Sequence, residues 1–204
     1  MSGICLAICV NRRGWDSPVR ALVTGTSGFV GSAVARRLAA DGHDIRVLLR
    51  PTSDRRNLDG MDAEIVEGDL SDPQSLKAAV KGCDSVFHVA ADYRIWVPDG
   101  GASMYRANVD GSRELVRAAC DAGVSRFVYT SSVAVLYPLP GTEVADEAAT
   151  ASVGDMVSHY KKSKFLAEEA VMELVREESA PVVIVNPSAP FGPRDIKPTP
   201  TGRI

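Results

Sequence analysis

The 204 residues predict an α/β fold, a doubly wound parallel sheet, on three observations. From Arg20 onward short β-branched runs alternate with helical patterns, and strands separated by helices pair in parallel. The first run, Ala21-Leu22-Val23, enters a glycine-rich turn and then a helix carrying Val30, Val34 and Leu38 at fourfold spacing, which makes one buried stripe. The run Ile45 to Leu49 is apolar enough to be covered on both faces, as interior strands of such a sheet are.

The remaining elements follow in order. Asp41-Gly42 ends the first helix. A third strand covers Ala63 to Val66, and Asp72-Pro73 reads as an N-cap with proline at the first helical position, opening a helix to about Lys81. Ser85 to Ala90 is the fourth strand, and a long helix runs from about Ser103 to Ala122 before Gly123. The fifth strand, Arg126 to Tyr129, leads directly into Thr130-Ser131-Ser132. Pro138 to Ala151 is a loop, Asp155 to Glu178 a helix, and Pro181 to Val185 a sixth strand. Pro187, Pro190, Pro193, Pro198 and Pro200 forbid long regular structure after it. Residues 1–18 read as an N-terminal extension and 19–204 as one domain, with no repeat or linker dividing it.

Composition excludes several function classes. Hydrophobic residues at 45% and charged ones at 24% are ordinary for a globular chain, and a net charge of -3 gives no electrostatic reason to expect nucleic acid. The N-terminal apolar run Ile4 to Val10 is far shorter than the ~20 residues of a membrane span. Arg12 and Arg13 follow that run, the wrong order for a signal peptide, so a cytoplasmic protein is expected. Cys5, Cys9, Cys83 and Cys120 form no CxxC pair, and His43, His88 and His159 have no ligand spacing. Reduced thiols, structural histidines and no metal site are expected.

Three groups of residues carry chemistry. The turn Thr24-Gly25-Thr26-Ser27-Gly28-Phe29-Val30-Gly31 between strand and helix is a phosphate cradle. Glycines permit the sharp turn and the close approach of amides to a diphosphate, at a helix end with partial positive charge. After the second strand, where a carboxylate would bond the ribose 2′-hydroxyl of NAD, stand Arg50, Arg55 and Arg56. A guanidinium there pairs with a 2′-phosphate, so NADP is predicted over NAD, against the alternative of a solvated basic loop. Finally, Tyr160 and Lys164 share one helix face, and a nearby cation eases ionisation of a phenol. Ser132, with Ser131 as second choice, lies beyond the carboxyl end of a strand, where ligands of open parallel sheets bind. Either serine can instead cap a turn, and Asp69 can meet adenine or cap a loop.

These motifs resemble the extended short-chain dehydrogenase/reductase family, a Rossmann fold. The likeness rests on TGTSGFVG at 24–31, GDL at 68–70, HVAA at 88–91, YTSS at 129–132 and YKKSK at 160–164. It is nearest to the hopanoid-associated sugar epimerase group, itself similar to dihydroflavonol 4-reductases, through RPTSDRRNL, ADYRIW, MYRANVDG and NPSAPFGPRDIKPTPTGRI. The resemblance implies that Gly25, Gly28, Phe29, Val30 and Gly31 hold the diphosphate, Arg50 the ribose phosphate, and Asp69 and Leu70 the adenine. Ala90 and Ala91 line the cleft, and Pro187 and Ser188 border the nicotinamide. Ser132 orients substrate, Tyr160 is the acid/base, and Lys164 lowers its pKa and binds the nicotinamide ribose. Asn108 is a structural asparagine, and the two long helices are the face of a homodimer. The implied activity is hydride transfer on a small molecule, either epimerisation of a sugar nucleotide or reduction of a ketone. Because the family continues for about a hundred residues more, a truncated chain without its substrate subdomain is expected, and a non-catalytic NADP-binding remnant is the alternative.

Overall fold

Residues 17–94, 96–137, 145 and 151–196 are described in a computed structural model of the chain. Residues 1–16, most of the expected loop before Ala151, and the final eight residues lie outside the described residues. Six strands form one parallel sheet: β1 (Arg20–Thr24), β2 (Asp44–Leu49), β3 (Glu64–Glu67), β4 (Ser85–His88), β5 (Arg126–Thr130) and β6 (Val182–Val185), in the order β3-β2-β1-β4-β5-β6. The chain builds outward from β1 to β3 and then returns to place β4 on the other side of β1. The carboxyl ends of β1 and β4 therefore flank the switch point where such sheets bind ligands.

Helices α1 (Phe29–Ala40), α2 (Pro73–Val80), α3 (Ala102–Tyr105), α4 (Gly111–Asp121) and α5 (His159–Glu178) complete the layers. On one face, α2, α4 and α5 bury Leu22, Leu48, Val86, Phe127 and Tyr129. On the other, α1 covers Ala21, Val23, Ile45, Val47 and Phe87. The expectation that β2 is covered on both faces holds from Ile45 to Leu49. Coverage weakens toward β6, where Val183 is 62% exposed.

Two differences from the expected elements have local causes. The long helix before Gly123 is continuous but not uniform, because Arg106–Asp110 between α3 and α4 is a π turn. The helix expected from Asp155 begins at His159, since Ser158 caps it by accepting from the Lys161 amide at 3.2 Å. Asp155 belongs instead to a separate 3-10 turn (Val153–Asp155) whose carboxylate reaches back to the Ser152 amide at 2.8 Å. Asp72 and Pro73 open α2 as their sequence implies, with the Asp72 carboxylate accepting from the Gln74 amide at 3.0 Å.

Candidate active site

The glycine turn is folded onto the end of β4. Gly25 has φ +77°, and a Cβ there would lie 2.7 Å from the Ala90 nitrogen. Gly31 sits inside the first turn of α1, where a Cβ would come within 2.2 Å of the Gly25 carbonyl oxygen. Gly28, the N-cap of α1, supplies no side-chain cap, and no acidic residue stands in the first turn. The opening amides, Phe29, Val30 and Gly31, thus have neither an intrahelical acceptor nor a carboxylate competing for them. That is the donor set a diphosphate fits, backed by the partial positive charge of the helix end.

The basic loop after β2 is tied to this cradle. The Asn57 amide donates to the Ser27 carbonyl at 3.1 Å, while Arg36 holds the carbonyls of Asn57 and Asp59 at 3.0 and 2.7 Å. Of the three arginines, Arg55 pairs with Glu67 at 2.9 Å and Arg56 with Asp54 at 2.6 Å. Arg50 is exposed, and its guanidinium makes no ion pair or hydrogen bond among the described residues, though its field reaches Asp69 and Asp92. Asp69 itself is a turn cap, accepting from the amide and hydroxyl of Ser71 at 2.8 and 2.6 Å. Burial pushes its carboxyl up, but those bonds and Arg50 bring it below the ordinary carboxylate value. Leu70 packs partly buried beside it, its carbonyl close under Gly111, where a Cβ would come within 2.7 Å.

Around the carboxyl ends of β4, β5 and β6 the remaining groups converge. Ser132 lies near enough to Tyr160 to pull its phenol pKa down, against burial, which pushes it up. The Ser132 oxygen also accepts from the Ala134 amide at 3.1 Å, so it caps a turn as well. Ser131 points elsewhere, its hydroxyl buried with no partner among the described residues, which leaves Ser132 as the serine that meets the tyrosine. Ala90 and Ala91 are partly buried beside the cradle, and the Ala90 amide donates to the Thr24 hydroxyl at 3.1 Å. Pro187 accepts from the Val133 amide at 3.1 Å, with Ser188 exposed after it. Asn186 joins three parts, donating to the Ser132 carbonyl at 3.2 Å and to Glu168 of α5 at 3.1 Å.

Lys164 is 3% exposed and donates to the Tyr129 hydroxyl at 3.1 Å and to the Thr130 carbonyl at 2.7 Å. Burial pulls its pKa down to about 8, against Glu168, which raises it. Burial pushes the Tyr160 phenol above its ordinary value and Ser132 pulls it back, while two N–H groups of the Lys164 ammonium are directed to Tyr129 and Thr130.

Asn108 and His88 support this arrangement. Asn108 accepts from the Asp92 amide at 2.7 Å and donates to the Asp92 carbonyl at 2.8 Å and to Ser163 at 2.9 Å. It thereby fastens the segment after β4 to α5. His88 is fully buried between Thr24 at 2.8 Å and Ser112 at 2.9 Å. Among the described residues no group of three or more His, Cys, Asp or Glu could hold a metal, and no helix is long and apolar enough to cross a membrane.

Known proteins carry the same organisation. A protein of Synechocystis provisionally named dihydroflavonol 4-reductase is 43% identical over 182 residues, or 89% of this chain and 52% of the relative. The crystal structure of gox2253 is similar at a TM-score of 0.83 and 52% identity, over 92% of this chain and 56% of that one. Thermus thermophilus UDP-glucose 4-epimerase, solved with NAD, is similar at a TM-score of 0.77 and 26% identity, over 90% and 59% respectively. The chain spans about half the length of the curated relatives it matches. A family model matches residues 21–204, and the chain belongs to the NAD-dependent epimerase/dehydratase family.

Proposed function

We propose that the protein is an NADP-dependent oxidoreductase in which Ser132, Tyr160 and Lys164 act on the oxygen of a carbonyl or carbinol substrate. The observation that carries this reading is the buried ammonium of Lys164, bonded at the carboxyl end of β5 to Tyr129 and Thr130, with Ser132 two residues beyond Thr130 and Tyr160 one helical turn away on α5. When bound, the nicotinamide supplies a hydride to a carbonyl carbon or takes one from a carbinol. Tyr160 delivers the proton that the carbonyl oxygen takes up, or receives it in the reverse direction. Ser132 donates to the same oxygen and fixes its line of approach. The third N–H of Lys164 is left for the nicotinamide ribose.

The reductase name of the Synechocystis relative supports net reduction of a ketone, while the epimerase from Thermus thermophilus supports reversible hydride transfer on a sugar nucleotide. For the cofactor, uncommitted Arg50 favours NADP, since its guanidinium can take a 2′-phosphate without breaking an existing pair. Gly25, Gly28, Phe29, Val30 and Gly31 would hold the diphosphate, Asp69 and Leu70 the adenine, and Ala90, Ala91, Pro187 and Ser188 the walls of the cleft. A homodimer would use the α4–α5 face, where Arg113 and Glu173 already pair at 3.2 Å.

Tyr160→Phe tests the assignment in the full-length protein. Turnover should fall to background while NADPH affinity stays within about twofold. Unaltered turnover would remove Tyr160 from its role.

A further inference from the structure

We propose that Tyr129 is the positioning residue of the Lys164 ammonium, and that hydrogen bonds from Thr24 through His88 to Ser112 hold the imidazole that packs against the Tyr129 ring. The inference rests on the reading of Lys164 as a catalytic group, but its evidence is separate. Thr24, His88 and Tyr129 are register partners across β1, β4 and β5, so their side chains stand in one row on one face of the sheet.

The protons in this row can be assigned one by one. The Thr24 oxygen accepts the amides of Val89 and Ala90, both at 3.1 Å, which fills its two lone pairs. Its own proton must therefore go to His88 Nδ1 at 2.8 Å. His88 is then a neutral imidazole with its proton on Nε2, donated to the Ser112 oxygen at 2.9 Å. Burial, and next the charge of Lys164, pull the imidazole pKa to about 3, so nothing near neutrality disturbs this order. Ser112 gives its proton to the Asn108 carbonyl at 2.6 Å, in the π turn.

An ammonium only donates, so the Tyr129 oxygen faces Lys164 as an acceptor, and the hydrogen-bonded row fixes the His88 ring that packs against the Tyr129 ring. Lys164 lies 4.6 Å from the centroid of the same ring, and His88 packs against it at 5.7 Å. With two of its three N–H groups fixed by Tyr129 and Thr130, the ammonium has one donor with a set direction. The charged and titratable groups around it are Glu168 and Tyr160 on α5, His88 on β4 and Tyr129 on β5. Of these only Tyr129 is hydrogen-bonded to the Nζ atom.

The test is the titration of Lys164 in the full chain, followed by the 13C resonance of its Cε and assigned by its loss in Lys164→Arg. Tyr129→Phe keeps the ring and removes one oxygen. The Lys164 midpoint should drop by about one pH unit, a tenfold loss of proton affinity. A folded Tyr129→Phe chain with an unmoved midpoint overturns the proposal. Should that variant fail to fold, 3-fluorotyrosine at Tyr129, which keeps the hydroxyl but weakens it as an acceptor, gives the same readout, with a smaller fall expected and no fall decisive against it. In the unaltered chain the 15N signals of His88 should report the Nε2–H tautomer from pH 5 to 9. An Nδ1–H tautomer also overturns the directed order. None of these readouts needs turnover, so failure here and failure of the oxidoreductase reading remain distinguishable.

Discussion

Alanine placed at two glycines of the cradle should have opposite consequences. At Gly31 the added Cβ would meet the Gly25 carbonyl oxygen at 2.2 Å and the Gly25 carbon at 2.4 Å, both backbone atoms that cannot rotate away. Ordinary contact begins about 1 Å further out, so α1 must lift from the sheet. The same helix buries Val34, Ala35 and Leu38 against Val23, Ile45 and Val47, and lifting it loosens all of these contacts. Overpacking of this kind costs about 3 kcal/mol, which in a chain of this length lowers Tm by roughly 6–12 °C. At Gly28 the backbone is extended, with φ -93° and ψ 175°, and a Cβ would meet a single atom at 3.3 Å. Any residue adopts that conformation, so the stability change should stay within about 1 kcal/mol. The methyl nevertheless stands beside the open first-turn amides, and NADPH affinity should fall at least tenfold. Thermal unfolding and fluorescence titration with NADPH measure the two effects. Equal Tm losses in both variants, or unchanged NADPH affinity in Gly28→Ala, would refute the division between packing and binding.

Three further outcomes are expected. Arg50→Ala should weaken NADPH binding tenfold or more while leaving NADH binding nearly unchanged, because on the proposed reading the guanidinium would meet the 2′-phosphate that NADH lacks; equal losses for both cofactors would contradict that role. Asn108→Ala removes three hydrogen bonds around Asp92 and Ser163 and should destabilise the chain by about 2–3 kcal/mol in urea unfolding, with no measurable change contradicting its structural role. The pKa of Lys164 falls from 10.5 to about 8 on folding, so between those values the unfolded chain binds more protons and stability rises with pH. Relative to Lys164→Met, the unaltered chain should therefore gain on the order of 3 kcal/mol between pH 8 and 10.5, and a flat difference across that window would deny the burial of the charge.

Much of this architecture was legible because parallel strands covered on two faces leave apolar runs, and each helix between them carries its own stripe and cap. Ala21 to Val23, Ile45 to Leu49 and the Asp72-Pro73 start are local signals of that kind. Tyr160 and Lys164 were legible as well, since residues four apart share a helix face whatever surrounds them. The row of Thr24, His88 and Tyr129 was not. It depends on the register between strands that are distant in sequence, and nothing near His88 announces Thr24 as its partner. The commitments of charges were equally hidden: Arg50, Arg55 and Arg56 are alike in sequence, and only the positions of Glu67 and Asp54 separate the free guanidinium from the paired ones. The same holds for Lys164, which the sequence aimed at Tyr160 and the fold directs to Tyr129 and Thr130. The π turn at Arg106–Asp110 left no signal in the hydrophobic pattern, because one extra residue in a turn shifts the stripe too little to read.

The most direct measurement is a calorimetric titration of the folded chain with NADPH, in parallel with NADH. Saturable 1:1 binding below millimolar concentration, tighter for NADPH, is the expected result. A chain that unfolds cooperatively yet takes up neither dinucleotide at millimolar concentration would contradict a diphosphate site at the opening amides of α1.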